Sequence, residues 1–89
     1  MAGLGRIDLA AMPTILRVLG FRFFFYSLEA GEPPHVHVAH GGKSAKYWLD
    51  PVELANSDGF RAHELNRVRE LVIEHRDAFR RQWDEHHHR

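Results

Sequence analysis

The sequence predicts an α+β domain: a three- to four-stranded antiparallel sheet with one long C-terminal helix packed on one face. Three observations lead there. Runs rich in Phe, Val and Tyr fill the first half of the chain, separated by glycine and proline. One of them, residues 35–40, alternates polar with apolar side chains, the period of a half-buried strand. Beyond residue 61 the apolar spacing becomes three-and-four, and no proline interrupts it.

Each element has its own signal. Residues 1–11 carry two glycines and no strong period, and they are expected to form a loosely ordered N-terminal extension. Met12 offers a second start, and residues 12–89 are expected to form a single α+β domain. Residues 14–18 make a first strand closed by Gly20. Residues 21–26 make an aromatic second strand. Residues 29–34 form a loop, because Pro33 and Pro34 fix their own φ and restrict the residue before them. Residues 35–40 and 43–49 pair about a two-residue Gly41-Gly42 turn, a dipeptide that tolerates positive φ at both positions. Asp50-Pro51 ends the fourth strand. Residues 52–60 read as a connection holding at most a short strand or turn around Val52, Glu53 and Leu54. The helix spans residues 62–86. Leu65, Val68, Leu71, Val72, Phe79 and Trp83 form its apolar stripe, with His75 and His86 on the same side and Glu70, Glu74, Asp77, Arg81 and Asp84 facing away.

Composition removes several function classes. With no cysteine, disulfides, thiolate metal sites and cysteine nucleophiles are excluded. Lys plus Arg and Asp plus Glu balance at 12 each, so no global field draws in nucleic acid and only a local patch can. No apolar run approaches the roughly 20 residues of a membrane span, and no signal peptide is visible. A cytoplasmic location is expected.

The chemistry concentrates in Glu32-Pro33-Pro34-His35-Val36-His37-Val38. A Gly41-Gly42 turn pairs His40 with Lys43, Val38 with Ala45 and Val36 with Tyr47, and between them His37 with Lys46 and His35 with Trp48. Val36, Val38, Ala45, Tyr47 and Leu49 then share the face under the helix. His35, His37, Lys46 and Trp48 share the other, and a contiguous solvent-facing cluster of these four is expected. Arg22 and Tyr26 on the second strand extend this candidate binding surface.

The elements Met12-Pro13-Thr14-Ile15, Gly20-Phe21-Arg22-Phe23-Phe24-Phe25-Tyr26-Ser27, the His-Val-His segment, Ala45-Lys46-Tyr47-Trp48-Leu49 and a helix ending near Trp83 follow one another in an order that resembles the bacterial domain-of-unknown-function 4160 family. The likeness covers nearly everything from Met12 onward. It implies a partner protein, encoded nearby and similar to domain-of-unknown-function 2442, and a gene arrangement similar to toxin–antitoxin pairs. It implies no reaction. Residues 1–11 and the His86-His87-His88 tail lie outside the resemblance.

Three readings compete for the histidines. A metal reading joins His35 and His37 to His40 or His63. It lacks a clear third protein ligand, and Lys46 beside it repels a cation, so no metal and no cofactor is expected. A catalytic reading makes His35 or His37, beside Lys46, the general acid or base of a metal-independent ribonuclease toxin, with RNA as substrate. An interface reading has Trp48 supplying contact area and Lys46 the rim charge. The last is preferred: a small interaction module of a toxin–antitoxin-like pair, binding a partner protein through the outer sheet face, with a second copy of the chain as a further partner and no membrane. His75 reads as a partly buried histidine, and Glu74-His75 lacks the second histidine of a zinc-protease helix.

Overall fold

The computed structural model describes residues 11–87. Five strands come first: β1 (Ala11–Val18), β2 (Phe21–Tyr26), β3 (His35–His40), β4 (Lys43–Leu49) and β5 (Val52–Asp58). They are followed by one helix, α1 (Ala62–His86), and a 3-10 turn (Ser27–Glu29) sits between β2 and β3. The strands form one sheet in the order β1-β2-β3-β4-β5, each antiparallel to its neighbour. The expected N-terminal extension falls, except for Ala11, outside the described residues, and β1 begins three residues earlier than residue 14.

The sheet has five strands, not three or four. The added strand is β5, and its signals were weak for a physical reason. Asp50-Pro51 does end β4, but it also serves as a two-residue hairpin turn into a further strand, with Leu49 paired to Val52 across it. Most of β5 is exposed, so it needs no apolar alternation to be stable. Its pairing slips between Lys46↔Asn56 and Tyr47↔Leu54, leaving Ala55 as a bulge. A polar, bulged strand is what a sheet edge favours, because it discourages pairing with a second chain.

The other hairpins follow their turn chemistry. Gly41 and Gly42 have φ of 53° and 84°, and Leu19 and Gly20 have 52° and 86°, so both turns put two consecutive residues in the left-handed region. The β3–β4 register is the expected one, from His40↔Lys43 to His35↔Trp48.

The core lies between the sheet and α1. Phe23, Phe25, Val36, Val38, Tyr47 and Leu49 meet Val68, Leu71, Val72, Phe79 and Trp83 there. Aromatic contacts dominate at the helix's C-terminal half, with Phe23 on Phe79 at 5.2 Å and Phe25 edge-on to Trp83 at 5.5 Å. Polar ties fix the helix to β4: Tyr47 Oη donates to Leu65 O at 2.8 Å, and Arg76 Nε donates to Leu49 O at 2.9 Å. At the start of the helix, Arg61 N donates to Glu64 Oε1, meeting one otherwise unpaired N–H of the first turn. No helix among the described residues is long and apolar enough to cross a membrane.

Candidate functional site

The face of the sheet opposite α1 is assembled by strand parity. Arg22, Phe24 and Tyr26 point there from β2, His35 and His37 from β3, and Lys46 and Trp48 from β4. Cross-strand pairing sets Phe24 beside His37 and His37 beside Lys46. Two cations on this face lie over rings: Arg22 is 4.3 Å from the Phe24 centroid and Lys46 4.6 Å from that of Trp48. Each is further held, Arg22 Nη1 by Thr14 Oγ1 at 3.2 Å and Lys46 Nζ by Glu32 Oε1 at 2.6 Å.

The loop after β2 brings in a residue that sequence reasoning missed. The 3-10 turn and the Glu32 N–H donating to Glu29 O, 3.0 Å, fold the chain back. Leu49 N then donates to Pro34 O at 3.1 Å, docking the diproline on the end of β4. This geometry swings Glu29 over the two histidines. Its Oε1 lies 2.6 Å from His35 Nε2 and 2.6 Å from His37 Nε2. His35 Nδ1 is 2.9 Å from Pro33 O, an atom that can only accept, so Nδ1 carries a hydrogen. The signal available in the sequence was modest: Glu29 and Glu32 are the carboxylates of the loop that feeds the His-Val-His strand.

His35 corrects the expectation of a fully solvent-facing cluster. Its relative exposure is 0%. Parity does point it away from the helix axis, but it is the first residue of β3, and that end of the sheet is closed over. Trp83, near the end of α1, packs 4.7 Å from its ring and Trp48 5.5 Å, while Pro33 and Glu29 cover its nitrogens. His37 retains 15% side-chain exposure and Glu29 23%. Phe24 stacks on the His37 ring and Tyr26 meets it edge-on at 4.6 Å. Lys46, expected to act beside the histidines, spends its charge on Glu32.

Burial pushes the His37 imidazole down from its ordinary value, with the Lys46 charge adding to this, and the Glu29 hydrogen bond does not fully offset it. Burial alone pushes the Glu29 carboxyl up, but the hydrogen bonds from His35 and His37 outweigh it and hold the group below its usual value. A neutral imidazole beside a charged carboxylate can transfer a proton or hold a cation.

The remaining histidines are elsewhere. His40 is at the far end of β3, with Nδ1 on Gly20 O and its ring on Phe21, and His63 is exposed at the start of α1. His75 is half-buried beside Phe79, as expected. His86 is exposed despite its place on the apolar stripe, and His87 instead lies 3.8 Å from the Trp83 ring. Two surface hollows flank the helix, one at Asp50, Arg76, Arg80 and Asp84, the other at Tyr47, Leu54, Leu65 and Arg69.

Residues 20–84 match the model of a family described as Domain of unknown function (DUF4160), well over half of the chain. No curated protein and no solved structure matches the chain.

Proposed function

The chain belongs to the DUF4160 family, and on that footing we propose that it is a small cytoplasmic interaction module, one member of a toxin–antitoxin-like pair, that receives a small partner protein on the outer face of its sheet. One observation carries this reading: Arg22 over Phe24 and Lys46 over Trp48 flank Tyr26 and His37 on a face that the helix leaves open. Aromatic and arginine side chains are the groups that anchor protein interfaces. Here they are held in place before binding, so little side-chain entropy is lost on docking.

The test is co-purification with the small protein encoded beside this chain, followed by affinity measurement for two variants. Trp48→Ala should weaken the complex by about 2 kcal/mol or more, since the indole supplies most of the area buried at the contact. His37→Ala should cost less than about 1 kcal/mol. Unchanged binding for both Trp48→Ala and Arg22→Ala would remove the proposal.

A ribonuclease reading draws on the lowered His37 imidazole beside Glu29. It predicts the reverse order: His37→Ala abolishes toxicity in a growth assay while partner binding persists. Zero net charge and the engagement of Lys46 by Glu32 favour the interaction reading.

A further inference from the structure

We propose that Glu29, His35 and His37 form a binding site for a single divalent transition-metal ion of the zinc class. One ligand atom from each side chain lies within 4.8 Å of the other two, and all three converge on a common point from a strand and a tethered loop. Two imidazoles and one carboxylate are a donor set that suits zinc and its neighbours, with a fourth position left for water.

The hydrogen bonding around His35 is what such a ligand requires. A metal-binding imidazole donates its other N–H to a carbonyl or carboxylate, which fixes the tautomer and the ring direction. His35 Nδ1 donates to Pro33 O at 2.9 Å, so Nε2, 2.6 Å from Glu29 Oε1, is the nitrogen left free to bind an ion. A nitrogen 2.6 Å from a carboxylate oxygen needs either a hydrogen or a cation between them. His37 Nε2 aims at that same oxygen, also at 2.6 Å. Three ligand atoms crowding one point is an arrangement that a single cation can satisfy in place of the shared hydrogens.

The geometry needs a small opening. Donors about 2.0–2.1 Å from a tetrahedral ion are about 3.3 Å apart, so the carboxylate must retreat by several tenths of an ångström. Glu29 can do so, being on a short turn, while the histidines stay on β3. Trp48 and Trp83 keep water from His35, and the partial exposure of His37 and Glu29 gives an ion its route in. The earlier objection from Lys46 is met by Glu32, which binds its ammonium at 2.6 Å. With Glu29 and Glu32 against Lys46, the local charge favours a cation.

The tail His86-His87-His88 can chelate metal by itself, so the test removes that capacity first. The full chain carrying His86→Gln and His88→Gln is purified in chelator, dialysed, and titrated with Zn²⁺ and Co²⁺. The expected result is one ion per chain, a visible Co²⁺ spectrum of low coordination number, and a raised Tm with Zn²⁺. Added to that background, Glu29→Gln and His37→Gln should each weaken binding at least 100-fold (roughly, for loss of one of three protein ligands) and abolish the Tm shift. Circular dichroism checks the fold of both, and a variant that unfolds leaves the other to decide. Nitrogen chemical shifts give a readout that needs no variant: on adding Zn²⁺, Nε2 of His35 and His37 should move while His35 Nδ1 keeps its hydrogen. Loss of binding with the tail substitutions, or unchanged affinity in the folded Glu29→Gln and His37→Gln chains, or unmoved Nε2 signals at one equivalent of zinc, would each overturn the site.

Discussion

A buried imidazole needs a partner for each ring nitrogen, and His35 has them in Pro33 O and Glu29 Oε1. Its neighbour His37 carries a consequence for acid stability. Burial lowers the His37 imidazole below its ordinary 6.5, so the folded chain prefers it neutral while the unfolded chain takes up a proton near that value. Its contribution is therefore complete above pH 6.5 and is lost as pH falls through the lowered folded-state value. Glu29 acts in the same direction further down: it is lowered from 4.5, so its contribution is present above that value and is lost below it. In chelator, Tm should fall continuously from about pH 7 to about pH 4, and His37→Gln should flatten the upper part of that curve. A parent Tm that holds steady or rises over the same interval would contradict the lowered imidazole. Strand alternation revealed that His35 and His37 share a face, because Cβ direction follows from backbone period. It could not reveal Glu29, whose direction is set by a non-repeating loop, nor the burial of His35, which depends on where a helix ends.

Two elements show how far pattern carries and where it stops. The limits of α1 and the β3–β4 register were legible because a three-and-four stripe and a Gly41-Gly42 turn each admit few alternatives. β5 was not, since an exposed edge strand has no face that must be apolar. The Leu19-Gly20 turn was also hidden, because leucine rarely adopts the φ of 52° that it has there. Leu19→Asn places a side chain better suited to that conformation at a position that is 59% exposed. It should stabilise the chain by about 0.5–1 kcal/mol, read as an increase in Tm, and a decrease would show that Leu19 makes a contact worth more than its strain. Trp83 closes the opposite end of the molecule against Phe25 and His35. Trp83→Ala should cost about 3–5 kcal/mol, a large share of the roughly 5–15 kcal/mol of a domain this size. It should also make the His35 ring accessible, read as faster hydrogen exchange at its C2 position. A Tm within a degree or two of the parent would show that the helix is anchored elsewhere.

In the molecule as a whole, the described residues lay a helix on one face of the sheet and leave polar and aromatic side chains on the other. The distribution of charge separates the two classes of partner that this open face could receive. Lys43 points to the helix side and pairs with Glu64 at 2.8 Å, so it adds nothing to the outer face. Arg17 and Arg22 are cross-strand partners there, and Lys46 completes the set. A single-stranded RNA held by about three phosphate contacts would lose affinity with a logarithmic salt slope near −2, about 100-fold for a tenfold rise in salt. A protein anchored by Trp48 and Tyr26 depends on buried apolar area, which salt does not screen, and its rim charges act mainly on the association rate. Affinity for the partner protein should therefore change by less than about threefold between 50 and 500 mM NaCl, an interval over which the Debye length falls from roughly 14 Å to roughly 4 Å. The same titration with a single-stranded oligoribonucleotide gives the contrast. Tight RNA binding with a steep slope, and a partner complex that dissolves in salt, would move the outer face from protein docking to nucleic-acid recognition. Salt-insensitive partner binding with RNA affinity no better than millimolar would leave the aromatic anchors as the source of recognition.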